Sequence, residues 1–205
     1  MTLQNRVLPT GDIIAQPWRG TLMGNRGILH DDRQRLTKRR WQHPHWVTCR
    51  LRWKDWHRAV MQPRAYTELF FLDEPTALAA GHRPCGLCRH QDYTRFKHLF
   101  CQANGTATLA ELDRLMQAHR VTRTRRQVRY QAQINDLPDG TFILWQDRPY
   151  LIWKRRFILF ETGVYTEILN LPDGPATVLT PAATVATLRR GYRPALHPSA
   201  RALLG

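Results

Sequence analysis

The segment FLDEPTALAAGHRPCGLC, residues 71–88, constrains the fold more tightly than any other part of the chain. Asp73 or Glu74 can cap a helix, Pro75 suits its first turn and Gly81 stops it, so this helix has room for about two turns. Just upstream, residues 67–72 are aromatic and apolar enough for a central strand. Just downstream, Pro84 aims the chain into Cys85-Gly86-Leu87-Cys88, a spacing that lets two thiolates grip one tetrahedral ion at a turn opening a helix. A strand, a short helix and a ligand-bearing turn must therefore pack in close succession.

Strand-like alternation is also clear at residues 46–53. There Val47, Cys49, Leu51 and Trp53 point one way, while Trp46, Thr48, Arg50 and Arg52 point the other. Residues 57–61 can return as the hairpin partner, and shorter β candidates lie at 12–15 and 20–23. MGNRGILHDD, beginning at Met23, reads as an exposed turn. A second helix over about 86–101 puts Tyr93, Phe96, Phe100 and Cys101 on one stripe. Thr108 and Glu111 have capping-box spacing and open a third, with Leu109, Leu112, Leu115, Met116 and His119 inward. Its extension, HRVTRTRRQVR, is strongly basic. Beyond Tyr130 come short strands near 142–145, 150–153, 157–160 and 165–169, and a last helix from Pro181 closed by Gly191.

The pattern predicts an α+β protein in three parts. Residues 1–103 form a zinc-binding unit of β-hairpin and short helices, 104–130 a basic helical linker, and 131–205 a small β-rich unit ending in a helix.

With 205 residues and 42% hydrophobic content the chain can bury a core. No apolar run approaches the roughly 18 residues needed to span a bilayer, and the N-terminus lacks the pattern of a secretory signal. A soluble, cytoplasmic protein without membrane association is expected. In that reducing setting, Cys49, Cys85, Cys88 and Cys101 read as metal ligands or buried thiols rather than disulfides. His82 extends the motif to H-x-x-C-x-x-C, giving Cys85, Cys88 and His82 as ligands. The fourth can come from Cys49 or His57, with His90 and His98 as further options.

Residues 71–88 resemble the second half of the zinc-binding domain of Ada-type DNA methylation-repair proteins. Ala79, Ala80, Gly81, Arg83, Pro84, Cys85 and Cys88 fit that pattern, with His82 in place of the usual aromatic residue. Such domains carry another cysteine pair upstream of the strand, one member of which accepts a methyl group from a DNA phosphotriester. Here residues 54–64 hold no cysteine; His57 is the ligand type at a comparable distance, and Cys49 lies farther back. The resemblance implies Zn2+, a DNA-facing fold and a setting in DNA repair or damage sensing. Along its full length the sequence is similar to uncharacterised bacterial proteins, which implies no function.

The charge points to a polyanion. Lys and Arg total 31 against 16 Asp and Glu, a net +15, and 27 of those bases are Arg. Guanidinium groups hold phosphates while exposed indoles stack on bases, so the Trp/Arg run at 38–58 suits DNA or RNA. Arg39, Arg40, Trp41, Trp46, Arg50 and Arg52 are its candidate contacts, with Trp41 or Trp46 as the stacking residue. Arg19 and Arg26 flank a glycine-bearing turn, Arg83 and Arg89 flank the cysteine motif, and Arg123, Arg125 and Arg126 form a second basic patch.

An enzyme on nucleic acid or nucleotides is the rival class. PCGLC matches half of a zinc deaminase signature, but no H-x-E or C-x-E precedes it. Cys85 beside Arg83 and Arg89 also suits a redox thiol. For a nuclease, His30, with Asp31 and Asp32, can join Glu68, Asp73 or Glu74 around a hard metal. A third class is a basic module that binds an acidic protein partner.

Overall fold

In the computed structural model, which describes residues 2–55 and 59–205, the short bracketed helix is the meeting point of the molecule. This helix, α1 (Glu74–Ala79), starts where Asp73 accepts from the Thr76 amide, and the chain leaves it through Gly81 at φ +82°. All six of its residues are buried. Successive helical positions point about 100° apart. Hence Ala77 and Ala80 enter one apolar cluster, Leu78 a second and Ala79 a third. Small side chains at three of these four positions let neighbours approach from every side.

The first sheet runs in the order β2 (Ile13–Ala15), β1 (Gln4–Val7), β5 (Leu69–Phe71), β3 (Leu22–Asn25), β4 (Val47–Arg50), β6 (Arg83–Pro84). The apolar β5 is central, as its composition predicts. Val7, Leu29, Leu69 and Phe71 pack here against Ala77 and Ala80 of α1. Strand β4 pairs antiparallel with β3 and in parallel with β6; of the hairpin partner expected at 57–61, residues 57 and 58 lie outside the described residues and 59–61 form no strand. Backbone at Gly24 passes so near Val47 that an added Cβ would sit 2.6 Å from its carbonyl oxygen. Glycine there permits the pairing. The stretch after Met23 is correspondingly not an exposed turn: Gly24, Arg26, Gly27, Leu29 and His30 are all buried.

The second sheet is antiparallel throughout, in the order β11 (Val164–Asn170), β10 (Arg156–Glu161), β9 (Arg148–Trp153), β8 (Phe142–Trp145), β12 (Pro175–Val178), β7 (Tyr130–Gln133). Its meander is joined by two-residue turns at Gln146-Asp147, Lys154-Arg155 and Thr162-Gly163, each with both φ angles positive. That turn hand matches the twist of the flanking strands. Alternation divides β10 between two cores. Phe157 and Leu159 pack with Tyr150, Ile152 and Val185, while Ile158 and Phe160 pack with Leu72, Ala79 and Ala200.

Helices α2 (His90–Asn104), α3 (Leu109–Arg120) and α4 (Ala182–Arg189) enclose a further cluster built on Phe96, Phe100, Leu112, Met116 and Leu188. Helix α3 opens with the Thr108/Glu111 capping box. A fifth helix, α5 (Pro198–Leu204), lies beyond α4 and was not expected. The apolar clusters join residues on both sides of the boundaries at 103 and 130. Within 104–130, helix is confined to the last residue of α2 and to α3. The basic stretch after Arg120 is a turn closed by a Val121–Gln127 bridge, with Arg125 at φ 65°. The Thr122 hydroxyl accepts from the Arg126 amide, the local bond by which threonine competes with helix. Among the described residues, no helix is long and apolar enough to cross a membrane.

Candidate metal centre and basic cleft

Strand register assembles three thiols. β6 pairs in parallel with β4, Val47 opposite Arg83 and Thr48 opposite Pro84. The Arg83 amide donates to the Trp46 carbonyl at 3.1 Å and the Cys85 amide to the Thr48 carbonyl at 2.9 Å. One step further, Cys49 comes alongside Cys85. The chain then turns back, with the Arg89 amide donating to the Cys85 carbonyl at 3.1 Å and the Leu87 amide to Cys85 Sγ at 3.4 Å. This brings in Cys88. The three Sγ atoms lie within 4.8 Å of one another, and this is the one group of three or more such ligand atoms among the described residues. Tetrahedral thiolates about 2.3 Å from a zinc ion stand roughly 3.8 Å apart, so modest closure would suffice.

The thiols already share charge. Hydrogen bonds from Cys49 and Cys88, then the Cys88 and Leu87 amides, hold Cys85 far below an ordinary thiol. Cys49 is driven up, first by its hydrogen bonds to Cys85 and Cys88 and then by burial. Cys88 is lowered by Cys49, but Cys85 and burial raise it on balance. One thiolate held by two thiol protons is the arrangement that a metal cation can replace. The cluster could hold a metal ion.

His82 does not join it. Its ring is fully buried, 4.6 Å from the Phe71 ring and 5.3 Å from the Trp46 ring, and Nε2 accepts from Arg26 Nε at 3.3 Å. Burial, then the charges of Arg26 and Arg120, pushes its pKa well below the usual value. The positive φ at Gly81 turns His82 inward before the extended Arg83–Pro84 pair carries Cys85 away, so three ligands from one local string are not delivered. His57 lies outside the described residues. Cys101 is on α2, apart from the cluster.

The carboxylates offered for a hard metal are engaged elsewhere. Asp73 accepts from Thr76, from the Tyr165 hydroxyl and from the His197 amide. Glu74 accepts from Arg89, the Tyr192 hydroxyl and the Ala195 amide. Glu68 accepts from the Met61 amide, and His30 bonds Thr67 and the Gln62 carbonyl. Asp31 is tied to Arg35. These groups do not converge.

The arginine candidates divide sharply. Arg83 and Arg89 are buried and paired, Arg83 by a two-pronged bond to Asp113 at 2.7 and 2.8 Å and Arg89 to Glu74 at 2.6 Å. They hold the fold together and cannot reach a phosphate. Arg50 and Arg52 are exposed beside the thiols, and Arg19 is exposed outside the cleft described next. Trp46 is 2% exposed, with its Nε1 donating to the His43 carbonyl. Alternation in β4 is present, but the Trp46/Thr48 face is the inner one, so Trp46 cannot stack on a base. Trp41 stays partly exposed, 5.9 Å from it.

A cavity of about 810 Å³ opens beside Trp46. Lys38, Arg40, Arg125, Arg126 and Arg129 line its exposed part. Arg26 and Arg120 line its buried part, and Asp12 is the one carboxylate in the lining. Arg39 and Arg125 also border a neighbouring recess, and Arg123 faces a third with Trp41.

Arg26 and Arg120 lie over the Trp46 ring, their guanidinium carbons 4.2 and 3.9 Å from its centroid and so at most about 8 Å apart. Two unit charges at that distance repel by about 2 kcal/mol at an effective dielectric of about 20. Neither has an ion-pair partner among the described residues. Burial, then the charge of Arg40, lowers Arg26 to about 9; burial, then Arg26, lowers Arg120 to about 8. Because guanidinium keeps its proton in proteins, this is a cost carried by the fold.

No family model, curated protein or solved structure matches the chain. The site must be read from its own chemistry. Arg120 was missed as a site residue, although Leu112, Met116 and Arg120 recur at the four-residue spacing of one helix face. That spacing was the available signal. Lys38 and Arg129 fall within the two basic stretches but were not singled out as contacts, because nothing local distinguishes them from solvated bases.

Proposed function

We propose that this is a zinc-containing protein that binds DNA or RNA through the cleft beside Trp46. The observation that carries the reading is the lining of that cleft, seven cationic side chains against Asp12 alone. Such a concentration of like charge attracts a polyanion. It also turns a diffuse surplus of +15 into a place.

Zinc is proposed for Cys49, Cys85 and Cys88 because three thiolates suit a soft, borderline cation better than a hard one. In this role the metal is structural. It ties the Cys85 turn to β4 and so braces the strand from which Trp46 leads into the cleft. His57 is the proposed fourth ligand, eight residues beyond Cys49, a separation the chain can span in a single loop. The likeness to Ada-type zinc domains extends this reading to DNA repair or damage sensing.

Binding of labelled single- and double-stranded DNA and RNA across a salt series tests the reading. Affinity should fall steeply with salt, with a slope equal to several released counterions. Arg126→Gln should reduce that slope by about one. Undetectable binding to every form, or binding insensitive to salt, would refute it and favour an acidic protein partner. Metal analysis of protein purified without chelator should find one zinc per chain, and finding none would remove the zinc part alone.

A further inference from the structure

The fold treats its buried arginines in two ways. Arg83 and Arg89 are each neutralised by a buried carboxylate, at 2.7–2.8 and 2.6 Å. Arg26 and Arg120, 3% and 2% exposed, have no such partner among the described residues, and both line the same cleft. Unpaired buried charge is costly and persists where something else neutralises it.

We propose that the Arg26–Trp46–Arg120 corner is a pocket for the terminal phosphate monoester of a nucleic-acid strand, which rests on the nucleic-acid reading above. The two guanidinium groups are preorganised. Arg120 donates to the Gly81 and Pro44 carbonyls at 2.9 and 2.6 Å and to Gln117 Oε1, which leaves one Nη1 hydrogen for a ligand; Arg26 donates to His82 and the Ala80 carbonyl, and the Trp46 ring lies against both. Arg26 retains donors that these contacts do not use. With guanidinium carbons at most about 8 Å apart, the two groups are within the span that one phosphate at the edge of the Trp46 ring can bridge with charge-assisted bonds of about 2.8 Å.

Depth and charge favour an end over an internal linkage. A phosphodiester carries one charge and a sugar on either side, so the strand would have to pass through the buried end of the cleft. A monoester carries close to two charges at neutral pH, matches two guanidiniums, and can enter from one side. The cavity has the volume of a typical small-ligand site, enough for one terminal nucleotide. Arg40, Arg125 and Arg126, exposed in the same lining, can follow the backbone outward.

The test uses the full chain, metal as purified, and one single-stranded oligonucleotide made with a 5′-phosphate, a 3′-phosphate or hydroxyls at both ends. Anisotropy at fixed salt should give at least a tenfold preference for one phosphorylated form. Arg26→Gln should abolish the preference, whereas Arg126→Gln should weaken all forms and preserve it. Because Arg26→Gln can also unsettle His82, the wild-type comparison stands by itself. Competition by inorganic phosphate and by a mononucleotide 5′-phosphate should erase the preference before it displaces the hydroxyl-ended strand. Equal affinity for the three ends, with steep salt dependence, overturns the strand-end pocket and leaves nucleic-acid binding intact. No binding of any oligonucleotide overturns both.

Discussion

Removing the Asp113 carboxylate should expose how strongly the fold depends on one buried ion pair. Asp113 is 1% exposed, and its oxygens accept from Arg83 Nε and a terminal guanidinium nitrogen at 2.7 and 2.8 Å and meet His45 Nδ1 at 2.6 Å. Burial alone would raise its pKa, but the Arg83 hydrogen bonds and charge, then His45, hold it below the usual value. In Asp113→Ala the Arg83 guanidinium would keep only a 3.4 Å bond to the Pro84 carbonyl and the Tyr93 ring 5.6 Å away. Stranding a buried charge in this way costs about 3–5 kcal/mol, a large share of the 5–15 kcal/mol that holds a typical domain. Urea unfolding followed by tryptophan fluorescence reads the loss. Replacing both partners, Arg83→Met with Asp113→Leu, should recover most of it, because an apolar pair needs no compensation. The depressed carboxyl stabilises above its unfolded pKa near 3.9, and this is lost as pH falls through the lower folded value. Wild type should therefore lose stability in that acid range more steeply than Asp113→Ala. A loss under about 1 kcal/mol for the single variant, or a double variant no better than the single, would refute the reasoning.

Three further outcomes are expected. Cys49→Ser should abolish stoichiometric binding of added Zn2+ or Co2+ while Cys101→Ser retains it; equal loss in both would dissolve the three-thiol site. His82, held neutral by burial, resists a proton that the unfolded chain accepts near pH 6.5, so stability should decline as pH falls below that value, by up to about 1.4 kcal/mol per pH unit. His82→Phe should flatten this slope, and an unchanged slope would assign it to other groups. Gly81→Ala places a Cβ 2.7 Å from Arg120 Cδ at φ +82°, and should cost about 1–3 kcal/mol by chemical denaturation; a change within about 0.5 kcal/mol would show that this turn relaxes freely.

Local signals in the sequence were reliable where the deciding chemistry is itself local. Asp73, Pro75 and Gly81 bracket α1 as their capping preferences require, and Thr108 with Glu111 opens α3. The four strands of the meander lie where short strands were expected, near 142–145, 150–153, 157–160 and 165–169. What escaped depends on distant partners. Strand β6 has two residues and exists only because β4 lies beside it, so no period could announce it. The same pairing selects Cys49 over His82 as companion to the Cys85 turn. Period-two alternation in β4 was legible, but which face is inner is decided by Arg26 and Arg120, which come from elsewhere in the chain. Nor does the sequence separate exposed from buried arginine: Arg26, Arg83 and Arg89, expected among the nucleic-acid contacts, are buried, as is Arg120.

The two acids at the start of α1 also set a timetable for synthesis. Glu74 and Asp73 receive the amides of Ala195 and His197, made 121 and 124 residues later. At about 5–20 residues per second, a ribosome leaves those carboxylates waiting for roughly 6–25 s. Over that interval the nascent first sheet holds two acids destined for the interior without these final donors. Slowing translation between residues 140 and 195 should lengthen its dependence on chaperones, and a pulse-proteolysis time course would find the N-terminal half protected only once residues 195–197 have emerged.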